Sequence, residues 1–134
     1  MDSGTETRLF HFGGGAAPAS AAATQADWQG TSAAMWEGVP ARGEANGAGH
    51  LKVTTAHMRA EYLRKNGVPY SENASLVEYF DRFSEPNGDT WLVVTSIVTD
   101  PRYLTQPFVT TTHFKKIPDA SGWDPTPCRA DQPR

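Results

Sequence analysis

The stretch that decides the fold is Ser75-Leu76-Val77-Glu78-Tyr79-Phe80-Asp81-Arg82-Phe83, followed by Pro86-Asn87-Gly88-Asp89 and then Thr90-Trp91-Leu92-Val93-Val94-Thr95-Ser96-Ile97-Val98. Two segments rich in β-branched and aromatic residues flank an Asn-Gly pair. This pair is the strongest short-range signal for a two-residue hairpin turn in which both central residues take a positive φ. The stretch therefore predicts an antiparallel β-hairpin and a mainly β protein.

A two-residue turn at 87–88 also predicts the register of the hairpin. Counting outward from it places Phe83 opposite Leu92, and Glu78 on the same face as Ile97. Neither face is purely polar, which favours a sheet that is covered on both sides or curled around its own interior. We therefore expect an antiparallel sheet or a partial β-barrel that is lipocalin-like in its broad architecture.

Further strands are predicted on either side of the hairpin. His50 to Thr55 alternates, with Leu51, Val53 and Thr55 on one side. Residues 56–65 suit a short helix or a broad loop, and Pro107 opens a last strand over 108–114. Asp100-Pro101 predicts a turn in which the aspartate caps the backbone.

Composition divides the chain into a folded part and two tails. We predict a flexible N-terminal tail over 1–27, a β domain over 28–117 with a flexible loop at 38–49, and a flexible C-terminal tail over 118–134. Trp28 and Trp36 are too apolar to leave exposed, so residues 28–38 are expected to dock as an edge strand or anchor. About four strands form a small core, so exposed sheet edges favour pairing with another domain or a second copy.

Charge and cysteine content exclude several classes of function. The chain has 134 residues, 20% of them charged, and a net charge of −3, so we predict no nucleic-acid partner. No segment is long and apolar enough to span a bilayer, and residues 1–12 do not form a signal peptide. Cys128 is the single cysteine, which excludes an internal disulfide and leaves an exposed thiol or an orphaned disulfide partner. The residues alone do not indicate a compartment.

Five blocks of sequence have a characteristic order and spacing along the chain. They are Trp28-Gln29-Gly30…Trp36-Glu37-Gly38, Leu51-Lys52-Val53-Thr54-Thr55, Arg64-Lys65-Asn66-Gly67-Val68-Pro69-Tyr70-Ser71, Val77-Glu78-Tyr79-Phe80, and Ile97-Val98-Thr99-Asp100-Pro101-Arg102-Tyr103-Leu104-Thr105-Gln106-Pro107-Phe108. Together they resemble the C-terminal part of a family of exported bacterial proteins of unknown function. The resemblance implies a β-rich fold and an extracytoplasmic location, and it assigns no residue a role. The loop at 38–49 replaces a tight turn of that family, and its usual N-terminal half is replaced by residues 1–27. A truncated product without independent function is therefore one interpretation.

Acid–base catalysis needs a carboxyl group in an apolar setting. Glu78 is the best candidate because it lies in the middle of a predicted strand, with His57 or Tyr79 as an assisting group. The alternative is a structural ion pair of Glu78 with Arg82 or across the strands. The four histidines (His11, His50, His57 and His113) lack the spacing of a metal site, so no metal and no cofactor are predicted.

The aromatic residues provide the other candidate site. A set of them suits the mouth of a barrel that binds an apolar ligand, although each is equally suited to a core: Trp36, Tyr62, Tyr70, Phe80, Trp91 and Tyr103. We therefore consider two functions. The first is a non-enzymatic module that binds a small apolar ligand or a protein partner. The second is a small β-barrel enzyme, similar to a hydrolase or isomerase, that uses Glu78.

Overall fold

The computed structural model of the protein describes residues 7–13, 26–38, 49–64, 67–119 and 121–122. These residues contain β-strands and no helix, which confirms the predicted mainly β class. The strands are β1 (Phe10–Phe12), β2 (Thr31–Glu37), β3 (His50–Ala56), β4 (Glu61–Tyr62), β5 (Pro69–Tyr70), β6 (Ser75–Ser84), β7 (Thr90–Thr99) and β8 (Phe108–Lys115).

Six of the strands form one sheet in the order β1-β2-β3-β6-β7-β8, and β4 pairs with β5 in a small second sheet. Strand β1 runs parallel to β2, and every other neighbouring pair is antiparallel. Strands β1 and β8 are the two edges and do not pair with each other, so within the described residues the sheet is open rather than closed into a barrel.

The β6–β7 hairpin turns where the sequence predicts, but the predicted register is wrong by one residue. Glu85 pairs with Asp89, and the N–H of Gly88 donates to the carbonyl of Glu85 at 2.9 Å. The loop therefore has three residues, and only Gly88 among them has a positive φ. A turn followed by a left-handed glycine is the usual three-residue alternative to the two-residue Asn-Gly turn. As a result Phe83 lies opposite Trp91, and Glu78 opposite Ser96.

Two other expectations, an edge strand within 28–38 and buried tryptophans, are wrong. Residues 28–38 do not form an edge strand, because β2 lies between β1 and β3. Trp28 and Trp36 remain 57% and 67% exposed. Of the two alternatives predicted for 56–65, the broad loop is the better one, because the described part is mostly irregular and contains only the two-residue strand β4.

The predicted N-terminal tail includes β1, which the sequence did not indicate. Residues 1–6 and 14–25 of that tail lie outside the described residues, as do most of the loop at 38–49 and most of the C-terminal tail, including Cys128. The strand at 50–56, the turn at Asp100 and the strand that follows Pro107 are confirmed.

One face of the sheet, which we call the inner face, carries most of the buried side chains. Alternation along the strands puts them on the same side: Ser32 and Ala34 of β2, Val53 and Thr55 of β3, and Glu78 of β6. The ring of Phe10 on β1 lies 5.9 Å from that of Phe80 on β6, across two intervening strands. The sheet therefore curls toward its inner face.

The chain between β3 and β6 covers one end of the inner face. Asp27 and Met58 form an isolated parallel bridge, and Met58 is buried beneath it. Gly30 has a positive φ and leaves no room for a Cβ against the carbonyl of Ala56 and the side chain of Met58. A glycine is required there because the two segments approach so closely.

Candidate functional site

A cleft of about 470 Å³ opens at the covered end of the inner face. It lies between the segment before β1, the residues that lead into β2, the residues that follow β3, and strands β4, β5 and β6. Its lining combines apolar and polar side chains: Trp28, Met58, Tyr70 and Leu76 with Arg8, Gln29 and Glu61. The volume falls within the range of small-molecule sites, although polar groups contribute about as much of this lining as apolar groups do.

A buried polar network lies beside the cleft, on the inner face of the sheet. The Arg8 guanidinium donates to Glu78 Oε2 at 2.7 Å and to the Thr55 hydroxyl at 3.2 Å. Thr55 is in turn hydrogen-bonded to the Ser32 hydroxyl at 2.8 Å. Glu78 is only 8% exposed, and a buried carboxylate needs an ion pair or hydrogen bonds to offset the cost of removing its charge from water. Glu78 therefore forms the structural ion pair that was the alternative to catalysis, but its partner is Arg8, across the sheet, and not Arg82.

Local contacts hold Trp28 at the mouth of the cleft. The carboxylate of Asp27 accepts hydrogen bonds from the N–H groups of Gln29 and Gly30, which closes a turn around Trp28. The Arg59 guanidinium lies 4.3 Å from the centre of the indole ring, within cation–π range. The indole is thus supported on one side and partly exposed on the other.

Tyr70 forms another part of the lining. Burial, and to a lesser extent the negative charge of Glu61, raise the pKa of the Tyr70 hydroxyl above its ordinary value. At neutral pH the phenol is therefore uncharged and can donate a hydrogen bond.

The residue that follows Tyr70 is anchored to a buried aspartate. Asp100 accepts hydrogen bonds from the N–H and hydroxyl of Ser71 and from the N–H groups of Arg102 and Tyr103. Burial alone would raise the pKa of the Asp100 carboxyl group, but these hydrogen bonds outweigh it and hold the pKa below its ordinary value of 3.8. The side chain stays charged and fixes the chain next to Tyr70.

The predicted ligand-binding aromatics separate into two groups. Tyr70 lies in the cleft, and with Tyr62 and Tyr103 it also lines a smaller depression of about 230 Å³ next to it. The other three do not line either cavity. Trp36 and Phe80 share the inner face at a distance from the cleft, and Trp91 is on the opposite face beneath Lys115.

The predicted catalytic residues are not brought into one constellation. Tyr79 follows Glu78 on β6 and therefore points to the opposite face of the sheet. There it contacts His50, with ring centres 5.2 Å apart, and lies below Lys52. His57 is exposed at the end of β3, with a positive φ of 58°. Glu78 has Arg8, rather than a second titratable acid or base, within hydrogen-bonding distance.

Among the residues that the structure describes, no three histidine, cysteine or carboxylate side chains lie close enough to hold a metal ion. His50 instead lies 3.4 Å from the carboxylate of Asp81. The described ranges contain no helix with the length and hydropathy that a membrane crossing needs.

Arg8 is the residue of the site that sequence reasoning missed. It lies in a predicted tail and precedes a strand of only three residues, so neither periodicity nor composition marks it. The one available signal was Glu78 itself, because a carboxylate in the middle of an apolar strand needs a cation. Trp28, an aromatic that the sequence predicts to be anchored, also lines the cleft.

Comparisons with models of protein families, with curated proteins and with solved structures find no match to this chain. The resemblance to an exported bacterial family therefore stays a prediction, and the site has to be interpreted from its own geometry.

Proposed function

We propose that this protein is a non-enzymatic binding module that holds a small, uncharged, largely apolar ligand in the cleft beside Arg8. The observation that carries the proposal is the lining itself. Trp28, Met58, Tyr70 and Leu76 supply apolar and aromatic surface around about 470 Å³. Aromatic side chains bury a large apolar area on contact with a ligand.

The charges around the cleft favour a neutral ligand. Arg8 is paired with Glu78 at 2.7 Å and is therefore not a free cation for an anionic group. Glu61 adds one negative charge to the lining. The polar groups suited to orient a ligand are the uncharged Tyr70 hydroxyl and the Gln29 amide, which offer hydrogen bonds without a net charge.

The proposal is tested by titrating the protein with N-phenyl-1-naphthylamine, a neutral apolar dye whose fluorescence rises in apolar surroundings. We expect saturable binding of one dye per chain. Trp28→Ala and Tyr70→Ala should each weaken binding about tenfold, because each removes aromatic surface worth roughly 1.5–3 kcal/mol when buried. The measurement is the dissociation constant from the fluorescence titration.

Trp36→Ala is the matched control, since Trp36 is a similarly exposed tryptophan outside the cleft. It should leave the dissociation constant unchanged. Absence of saturable binding, or an equal loss in the Trp36→Ala variant, would contradict a specific site in the cleft.

A further inference from the structure

The outer edge of β8 is a separate feature that does not depend on the cleft. Strand β8 spans Phe108–Lys115 at one end of the six-stranded sheet, and no other strand within the described ranges pairs with its outer side. The strand has no proline and six of its eight residues are exposed. Such an edge presents a row of N–H and C=O groups that can pair with another strand.

The hydrogen bonds to β7 determine which groups face outward. The N–H of Lys116 donates to the carbonyl of Thr90 at 2.8 Å, one position beyond the last strand pair. The backbone N–H and C=O groups of successive residues point to alternate sides of a strand. The even-numbered residues of β8 therefore form the hydrogen bonds to β7. The backbone groups of Val109, Thr111 and His113 therefore point away from the sheet.

The sequence of this edge is nearly the same when read in either direction. Phe108-Val109-Thr110-Thr111-Thr112-His113-Phe114 has phenylalanine at both ends and threonine in the middle. A two-fold axis through Thr111 would place Phe108 opposite Phe114 of a second copy, and Thr110 opposite Thr112. The residues whose backbone groups point outward are then opposite one another, and Thr111 lies opposite Thr111 of the second copy. Backbone hydrogen bonds and side-chain pairs are satisfied in the same register.

We propose that two copies of this chain pair antiparallel along β8, with Thr111 on the two-fold axis, and join their sheets into one. Isologous pairing of this kind is the commonest symmetry of protein dimers. Aromatic cross-strand pairs contribute to the stability of such sheets. Phe114 is 44% exposed on the inner face, and in the dimer it would be adjacent to Phe108 of the second copy.

The paired edge itself carries little charge, although the Arg64 guanidinium donates to the Thr110 hydroxyl at 2.8 Å and lies 5.2 Å from the centre of the Phe108 ring. The paired segment 108–114 contains no Lys, Arg, Asp or Glu. Lys115 falls opposite Pro107 of the other copy rather than opposite another lysine. A single strand edge buries less than the roughly 1,600 Å² of a standard interface, so the dimer is expected to dissociate on dilution.

Sedimentation velocity of the full chain over a range of concentrations tests the dimer. We expect a reversible monomer–dimer equilibrium. Thr111→Lys should raise the dimer dissociation constant at least tenfold, because two like charges would be directly opposite each other on the axis. Ser84→Lys is the control: it adds the same charge at an exposed position of β6, two strands away, and should leave the constant unchanged.

Disulfide cross-linking tests the register independently of affinity. In a Cys128→Ser background, Thr111→Cys should form a covalent dimer, because directly paired residues have Cα atoms about 5.5 Å apart, within disulfide range. Val109→Cys, on the same face and edge, should not, because the two copies of residue 109 would lie roughly 14 Å apart. A monomer at every concentration, a Thr111→Lys variant that dimerises normally, or preferential cross-linking through residue 109 would overturn the proposal.

Discussion

Replacing Asp100 with alanine is expected to lower the free energy of unfolding by about 3 kcal/mol. The carboxylate is fully buried and accepts hydrogen bonds from Ser71, Arg102 and Tyr103. Alanine would leave the buried N–H and hydroxyl of Ser71 without their acceptor, which costs more than losing an exposed hydrogen bond. Denaturant titration followed by circular dichroism measures the change. Since small domains are stable by about 5–15 kcal/mol, this is a large part of the total.

Asp119→Ala is the matched control for this variant. Asp119 also accepts a hydrogen bond from a nearby backbone N–H, that of Ser121, but it is exposed. Its replacement should leave the unfolding midpoint unchanged. An Asp100→Ala variant as stable as the parent chain would show that the hydrogen bonds around Asp100 do not hold the fold together.

The contribution of Asp100 should also depend on pH in one direction. Its pKa in the folded protein lies below the ordinary value of 3.8, so the folded state favours the charged form. Its stabilising effect is fully present above pH 3.8 and is lost as the pH falls through the lower pKa of the folded state. The stability difference between the parent chain and Asp100→Ala should therefore shrink in that acidic range.

The second large effect is expected for Arg8→Met, which should destabilise the fold by about 2 kcal/mol. Methionine keeps most of the side-chain volume but removes the cation 2.7 Å from Glu78. A carboxylate that is only 8% exposed would then have no charged partner. The value is smaller than for a fully buried ion pair because Arg8 itself remains partly exposed. Chemical denaturation at neutral pH provides the measurement.

Two further variants identify the cause. Arg82→Met removes an exposed arginine on the same strand as Glu78 and should change stability by less than about 0.5 kcal/mol. Adding Glu78→Gln to Arg8→Met should restore part of the lost stability, because the unpaired charge is removed. If Arg8→Met and Arg82→Met are equally harmless, the Arg8–Glu78 pair does not stabilise the protein.

The sequence predicted those parts of the fold whose signals are local. Alternation at 50–55, the proline before β8 and the cap at Asp100 each depend on a few neighbouring residues, and each is confirmed. The Asn-Gly pair predicted the position of the hairpin turn but not its length. Pro86 and Asn87 form the turn and Gly88 takes the left-handed position, so the register moves by one residue. That shift decides that Glu78 faces Ser96 rather than Ile97.

The parts that could not be predicted depend on distant contacts. Arg8 is 70 residues from Glu78 along the chain, and no local pattern links a short N-terminal strand to the middle of β6. Trp28 and Trp36 were expected to be buried because they are large and apolar, yet both stay exposed. The cleft is lined by residues from five separate segments of the chain, and no local sequence pattern indicates that these segments come together.

The pairing of Arg8 with Glu78 bears on how the protein should be divided for experiments. Composition suggests that a minimal domain starts at Trp28, and a gene fragment designed on that basis would omit the cation that neutralises Glu78. Such a fragment would be expected to express poorly or to aggregate, even though it retains every strand from β2 onward. An expressed fragment should therefore begin before Arg8, so that it keeps the counterion of the buried Glu78 carboxylate.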